Sequence, residues 1–267
     1  MASGTCGDNV TWSLDESTWV LTISGTGAMG EYTYKTMPWY SYKSNITKVI
    51  VNPGVTTIGK YAFYSMSKLT SITIPNGVTS IGPYACAYNY ALTSVVIPDS
   101  VLTIGEQAFC YCNNITSLTL GSGVTEIGTS AFSGVKLITS LKIPDSCTKI
   151  CEEAFANCTG LTTLEIGSGI THIVMEAFQG DYNITSITFK CKTPPTLEKY
   201  SFRLSQSSSY NPNVVVYTKG GWGSDTVFTT DVRGSYTTFT YEKLAGAVTH
   251  VNVGGTWKES TPYVNVG

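Results

Sequence analysis

A unit of 23 residues repeats six times without insertion or deletion over residues 46–183. A period of this length is typical of solenoids, in which each repeat forms one coil and neighbouring coils share a core, because a single coil cannot bury its own apolar side chains. The repeat therefore predicts one continuous stack of coils. The first residues of the six copies are Ile46, Leu69, Leu92, Ile115, Ile138 and Leu161.

Each copy has apolar residues at positions 4 and 6 and mostly Ser or Thr at positions 3 and 5, as in Ser-Ile-Thr-Ile at 71–74. This alternation predicts a strand with its apolar face inward. Pro or Gly at position 7 is expected to end the strand, and Gly at position 14 to turn the chain again. An apolar pair at positions 10 and 13 and an Ala-Phe pair at 17 and 18 are expected to fill the interior, the latter under a short helical or irregular turn.

The spacing, the Pro, the Ile-Gly and the Ala-Phe signatures of LTSITIPNGVTSIGPYA at 69–85 and its five siblings resemble the BspA-like leucine-rich repeats in surface proteins of gut and oral bacteria. The resemblance implies a β-rich leucine-rich-repeat solenoid of six coils. Residues 6–30 look like the β-hairpin cap of such arrays, with its turn at 15–17, and 184–217 look like their degenerate last coil. Terminal copies must differ from the rest because a bare end would expose a sheet edge and core.

Four regions follow from this interpretation. We expect an N-terminal β cap over 1–45, the leucine-rich repeats over 46–183, a degenerate terminal coil with a C-terminal cap over 184–244, and a short β tail over 245–267. Val-Asn-Val-Gly occurs at 251 and again at 264, so we interpret the tail as a short tandem element cut off part-way through a copy. The tail is similar to terminal repeats in tail and structural proteins of bacteriophages.

The charge balance argues against two classes of partner. Charged residues make up 13% of the chain, with 16 basic and 18 acidic side chains and a net charge of −2. This mixture has no electrostatic footprint for nucleic acid. No apolar run approaches the roughly 18 residues that span a bilayer, so we expect no membrane insertion within this chain. Residues 1–4 lead directly into polar sequence, so we expect that a signal peptide was either removed or never used.

We find no catalytic candidates and expect neither an enzyme nor a cofactor. Gly25, Gly27 and Gly30 match G-x-G-x-x-G after a predicted strand, but no helical pattern follows and 45–55 contain no acidic residue, so we interpret them as turn residues of the cap. No hydrolase or metalloprotease motif occurs, and no Cys/His dyad has a recognisable spacing.

The eight cysteines predict free thiols rather than disulfides or a metal site. Cys86 takes the Phe position of its coil and Cys147 the Val position, so both should be buried. Cys112 and Cys158 share one position but lie two coils apart, about 9–10 Å, which a disulfide does not span. Paired Cys arms or His partners for zinc are missing. The cysteines are Cys6, Cys86, Cys110, Cys112, Cys147, Cys151, Cys158 and Cys191.

Tyrosines are concentrated in the first three coils, where they fall at position 16 and at positions 19 to 22. Tyrosine offers a large contact area at low entropic cost and is enriched in binding surfaces. Two interpretations remain open: these rings form a binding patch, or they pack across the junction of cap and coils. The candidate binding residues are Tyr61, Tyr64, Tyr84, Tyr88, Tyr90 and Tyr111.

The family resemblance implies a non-catalytic, extracellular or cell-surface module, which we expect to be a monomer. It would recognise a host protein, a cell surface or a glycan through an extended repeat face. A phage-borne receptor-binding or tail-associated protein in a virion is one alternative. A purely structural surface-layer module is another.

Overall fold

The strands begin with a cap that is continuous with the repeats. The structure is a computed structural model that describes residues 1–198, 200–204, 215–218, 227–232, 235–241 and 251–253. Strands β1 (Ala2–Thr5), β2 (Val10–Asp15) and β3 (Val20–Gly25) form an antiparallel meander, and β4 is Gly27–Ala28. The β2–β3 hairpin confirms the expected cap, whereas the sequence analysis did not predict β1. Because β3 pairs in parallel with the first strand of the repeats, the cap is itself the first layer of the stack.

The repeats form two rows of parallel strands, one on each side of the core. The first row uses positions 3 to 6 of each coil and is divided into three hydrogen-bonded ladders. The second row includes positions 12 and 13 of each coil. It forms one ladder of eight strands that starts at β4. The coils comprise β5 (Lys48–Val51), β6 (Val55–Ile58), β7 (Ser71–Thr73), β8 (Ser80–Ile81), β9 (Ser94–Val96), β10 (Thr103–Ile104), β11 (Ser117–Thr119), β12 (Glu126–Ile127), β13 (Ser140–Ile143), β14 (Lys149–Ile150), β15 (Thr163–Ile166), β16 (His172–Ile173), β17 (Ser186–Phe189) and β18 (Thr196–Leu197).

The predicted interior positions are buried in the six coils, apart from Ile72, Leu118 and Leu120, which are half-buried, and this confirms the solenoid and its register. The Ala-Phe pair lies beneath turns rather than helices. Four phenylalanines, Phe109 to Phe178 at intervals of 23 residues, stack nearly parallel with ring centroids 5.3 to 5.5 Å apart. Cys86 interrupts this column and is fully buried, as expected.

Threonine hydroxyls connect successive coils at two positions of the repeat. At position 2 the Thr162 hydroxyl donates to the Thr139 carbonyl at 2.9 Å, and at position 11 the Thr171 hydroxyl donates to the Thr148 carbonyl at 3.0 Å. Each bond leads to the preceding coil, so the threonines add side-chain hydrogen bonds along the stack. This explains why Thr recurs in each copy where a strand former alone would suffice.

The glycine at position 14 opens a turn as predicted, since the Ala85 N–H donates to the Gly82 carbonyl at 3.2 Å. Gly82 and Gly105 have no positive φ, but a Cβ at these sites would lie 2.8 Å and 2.7 Å from backbone nitrogens of the preceding coil. Close approach of neighbouring coils therefore requires glycine there. Gly27, interpreted above as a turn residue, lies in β4 and pairs with Val55.

The seventh coil continues the stack with one extra residue. His172 pairs with Thr196, 24 residues later, and Phe202 stacks on Phe178 at 5.0 Å. Strand β19 (Val215–Thr218) then pairs with β17, and β20 (Val227–Val232), β21 (Ser235–Tyr241) and β22 (Val251–Val253) form a separate antiparallel sheet. Apart from β22, the predicted tail at 245–267 lies outside the described residues.

A tyrosine surface on the first three coils

The six candidate tyrosines form one connected network of rings. Tyr61 stacks on Tyr84 with centroids 4.8 Å apart and contacts Tyr64 edge-on at 5.1 Å. Tyr64 meets Tyr88 edge-on at 5.5 Å, and Tyr88 stacks on Tyr111 at 5.3 Å. Tyr90 completes the network through Tyr88 at 6.2 Å. We call these six residues the tyrosine surface.

The turns of the repeat place these rings. Positions 16 and 20 have a positive φ in each of the six coils, and four members of the tyrosine surface occupy them: Tyr61, Tyr84, Tyr88 and Tyr111, with φ from 57° to 62°. Residues other than Gly, Asn and Asp rarely adopt this left-handed conformation. Because the same unusual backbone recurs in each coil, the side chains at one position form a row along the stack.

The rows change character along the solenoid. At position 20, Tyr88 and Tyr111 are followed by Gly134, Asn157 and Gly180. Gly134 makes room for the preceding ring, since a Cβ there would lie 2.9 Å from Cδ1 of Tyr111. The fold therefore accepts small residues at this position, and the rings of the first three coils are not required by it.

Exposure differs among the six rings. Tyr90 and Tyr111 are 45% and 43% exposed, and the other four are half-buried. The Tyr84 hydroxyl donates to Glu106 Oε1 at 2.8 Å and accepts from Gln107 Nε2 at 3.2 Å. The hydrogen bond to Glu106 raises the pKa of Tyr84 to about 12. Desolvation, followed by neighbouring ionisable groups, raises the pKa values of Tyr64 and Tyr88. At neutral pH these hydroxyls are protonated donors.

Three lysines near the start of the repeats lie over tyrosine rings, and two of these rings belong to the tyrosine surface. Lys43 Nζ is 5.8 Å from the centroid of Tyr64 and 5.1 Å from that of Tyr40. Lys60 lies 5.7 Å from Tyr61, and Lys35 lies 5.1 Å from Tyr34. These distances are within the range of cation–π attraction. Desolvation lowers the pKa of Lys43. No sequence pattern distinguishes these lysines, although Lys60 precedes Tyr61 directly.

Some aromatic residues before the first coil pack inward, whereas Tyr34 and Tyr40 are exposed. Trp39 is fully buried, stacks on Phe63 at 5.7 Å and donates from Nε1 to the Ala62 carbonyl at 2.8 Å. The Tyr32 hydroxyl donates to the Cys6 carbonyl at 2.7 Å. Packing across the junction of cap and coils, the second interpretation above, therefore holds for Trp39 and Tyr32. The six candidates form a network of their own, and one of them, Tyr64, also packs against the core.

Other kinds of site find little support in the described part of the chain. Its residues include no group of three or more His, Cys, Asp or Glu side chains that would hold a metal ion. All eight cysteines are free and buried. No helix within the described ranges is long and apolar enough to cross a membrane.

A family model of the BspA type leucine rich repeat region, in six copies, matches residues 38–137 and 79–209, which together cover more than half of the chain. The chain belongs to this family. This BspA-type protein matches no curated protein. Its recognition from the repeat signatures is therefore confirmed at the level of family and fold.

Solved structures similar to this BspA-type protein are bacterial. It shares 27% identity with a leucine rich cell surface protein from Faecalibacterium prausnitzii A2-165, over 73% of this chain and 56% of that one, with a TM-score of 0.56. This chain thus spans little more than half the length of that protein. A leucine rich repeat protein from T. pallidum is 22% identical over 65% of this chain and 86% of its own, with a TM-score of 0.51, and shows the shared fold.

Proposed function

We propose that this chain is a non-catalytic binding module on the outside of a bacterial cell, and that the tyrosine surface contacts its extracellular ligand, a protein or a glycan. The observation that carries the proposal is that six tyrosines from three adjacent coils form one ring network on the surface. A cell-surface location agrees with the F. prausnitzii relative. The phage alternative has no comparable support.

The backbone supports a functional role for these rings. Tyrosine in the left-handed region costs about 1 kcal/mol relative to glycine. Later coils avoid this cost with Gly134 and Gly180 at position 20, whereas coils two and three carry Tyr88 and Tyr111. Residues that are retained against a local backbone cost and are not needed for packing fit a role in binding.

The test compares two triple variants for binding to arrayed glycans and to immobilised extracellular-matrix proteins. The first variant replaces Tyr64, Tyr88 and Tyr111 with Ser. The control also introduces three serines, in place of Thr73, Val96 and Thr119, which are exposed at position 5 of coils two to four. These substitutions remove little side-chain volume. Circular dichroism confirms that both variants are folded.

We expect the wild type to bind at least one probe, the tyrosine variant to lose that binding and the control to keep it. Equal binding by the wild type and the tyrosine variant would assign the contact to another face. Absence of binding to every probe would favour the structural surface-layer alternative.

A further inference from the structure

Lysines at the two ends of the solenoid differ in their partners. Towards the C-terminal end, Lys142 and Lys190 pair with Glu165, and Lys149 pairs with Glu126. In the N-terminal half, Lys35, Lys43 and Lys60 lie over tyrosine rings, and none has a carboxylate within ion-pair distance among the described residues. The described part of the chain therefore leaves positive charge unpaired at the N-terminal end of the tyrosine surface, whereas the carboxylate of Glu106 lies at Tyr84.

The rings themselves favour acceptor groups. In the pairs Tyr61–Tyr84 and Tyr88–Tyr111 the ring planes lie within 8° and 29° of parallel, so each ring covers one face of the other. The stacked faces are closed to a ligand, so the groups that it can contact include ring edges, which carry the positive part of the aromatic quadrupole, and hydroxyl groups other than that of Tyr84, which donates to Glu106. Edges, protonated hydroxyls and ammonium groups all interact favourably with anionic oxygen atoms.

We propose that the tyrosine surface, together with Lys35, Lys43 and Lys60, binds an anionic glycan through its carboxylate or sulfate groups. This inference rests on the proposed binding function and names the class of ligand. A glycan fits better than an acidic protein segment because lysine is depleted in protein–protein interfaces, whereas it serves as a point charge for anions. Hydroxyl groups at the surface also match the many hydroxyl groups of a sugar chain.

The residues at position 16 of the C-terminal coils limit the extent of the site. Position 16 carries Glu153 and Glu176 in coils five and six, where coils one and two carry Tyr61 and Tyr84. Desolvation is the main cause that raises the pKa of Glu176; the neighbouring Glu153 and Glu152 add to it, and Arg203 opposes it. An anionic chain is repelled there, so the proposed contact is confined to the first three coils.

The experiment measures binding of fluorescent chondroitin sulfate tetrasaccharide, with neutral chitotetraose and polyglutamate as comparison probes. One variant replaces Lys35, Lys43 and Lys60 with Gln. The matched control replaces Lys142, Lys149 and Lys190 with Gln, so both variants change the net charge by the same amount. We expect the first variant to weaken chondroitin sulfate binding by about tenfold or more, because it removes three cationic contacts. The control should stay within about threefold, since remote exposed charges are screened by salt.

Other results would overturn the anionic-glycan inference. Equal weakening in both variants would indicate non-specific attraction, and equal binding of chitotetraose would show that charge is not recognised. Tighter binding of polyglutamate would indicate an acidic protein segment. Self-association in analytical ultracentrifugation that is lost in the first variant, and also in Glu153→Gln/Glu176→Gln, would mean that a second copy occupies the surface. Binding that is insensitive to the lysines but lost in the tyrosine variant would reject only the anionic ligand and leave the proposed function intact.

Discussion

Asn89 and Asp181 occupy the same position of the repeat, four coils apart, and both are fully buried. Asn89 accepts the Met66 N–H at 2.7 Å and donates to the carbonyls of Phe63 and Cys86 at 2.9 and 2.8 Å. Asp181 accepts the corresponding N–H, that of Cys158, at 2.7 Å, but its Oδ2 has no hydrogen-bond partner in the structure. The carboxyl group thus has an acceptor where the amide has a donor.

Asp181→Asn is expected to stabilise the protein at neutral pH by about 1–3 kcal/mol, because it supplies the missing donor and removes a buried carboxyl group that ionises freely only in the unfolded chain. Burial raises the pKa of Asp181 well above its usual value. In the wild type, Asp181 therefore makes its full contribution to stability below the pKa of Asp in the unfolded chain, about 3.9. That contribution is lost as the pH rises through the higher pKa of the folded state. Urea unfolding at pH 4 and pH 8 should show the larger gain at pH 8. Equal stability of both proteins at pH 8 would contradict this account.

Asp99→Asn is the control of opposite sign. Asp99 is exposed and accepts the Ser122 N–H at 2.7 Å, and this hydrogen bond lowers its pKa. The contribution of Asp99 to stability is present above the usual pKa of Asp, and it is lost as the pH falls through the lowered pKa of the folded state. The substitution should therefore destabilise the protein at pH 8 and have little effect near pH 2.

Asn89→Asp is the reverse exchange. It removes the donor to the Phe63 and Cys86 carbonyls and directs an acceptor at them instead. We expect a loss of about 2–5 kcal/mol at pH 8, the usual cost of an uncompensated buried charge. Part of this loss should be recovered at pH 4, where the protonated carboxyl donates a hydrogen bond. Thermal unfolding at both pH values checks the prediction, and an unchanged melting temperature at pH 8 would refute it.

Gly134→Ala should displace the ring of Tyr111. A Cβ there would lie 2.9 Å from Tyr111 Cδ1, and φ is +77°. We expect a loss of stability of about 1–2 kcal/mol from the strained backbone and weaker binding by the tyrosine surface. Gly77→Ala is the matched control, since φ is +104° but no atom lies within 4 Å of its added Cβ. Denaturant unfolding should show a loss for both variants, and only Gly134→Ala should also affect binding.

The eight thiols should react slowly with Ellman's reagent in the native protein and completely after unfolding. Burial raises the pKa values of Cys6, Cys112 and Cys147 to about 12, so hardly any thiolate is present at pH 8. Cys151, 9% exposed, should react first among the native thiols. Far fewer than eight reactive thiols in concentrated guanidinium chloride would indicate disulfides and contradict the prediction.

Much of the fold is predictable because residues 23 apart stack directly on one another. Period and apolar pattern identify which side chains face the core, and this works for the Phe column as well as for Cys86 and Cys147. The same register placed Tyr61 beside Tyr84 and indicated that the candidate rings lie together. The turn at position 14 was predictable, but the reason for its glycine was not, because close approach between coils and a positive φ both select glycine.

The contacts of Lys35 and Lys43 with tyrosine rings could not be predicted, because both residues precede the first coil, where no repeat defines the register. Their positions depend on the path of the non-repetitive segment before Ile46, which Trp39 anchors through its hydrogen bond to Ala62. Likewise, position 21 carries Met66, Asn89, Cys112, Val135, Cys158 and Asp181 in the six coils. A position with such varied side chains gives no indication that it is buried.

The sequence by itself determined the coil, its strands and the family, because each copy repeats the same local preferences and the same apolar face. Only the tertiary structure decided which charges remain unpaired, which rings cover each other and which carboxyl group is buried without a donor. These properties depend on contacts between residues that share no local pattern, such as Lys43 and Tyr64, and such contacts exist only after the coils have stacked.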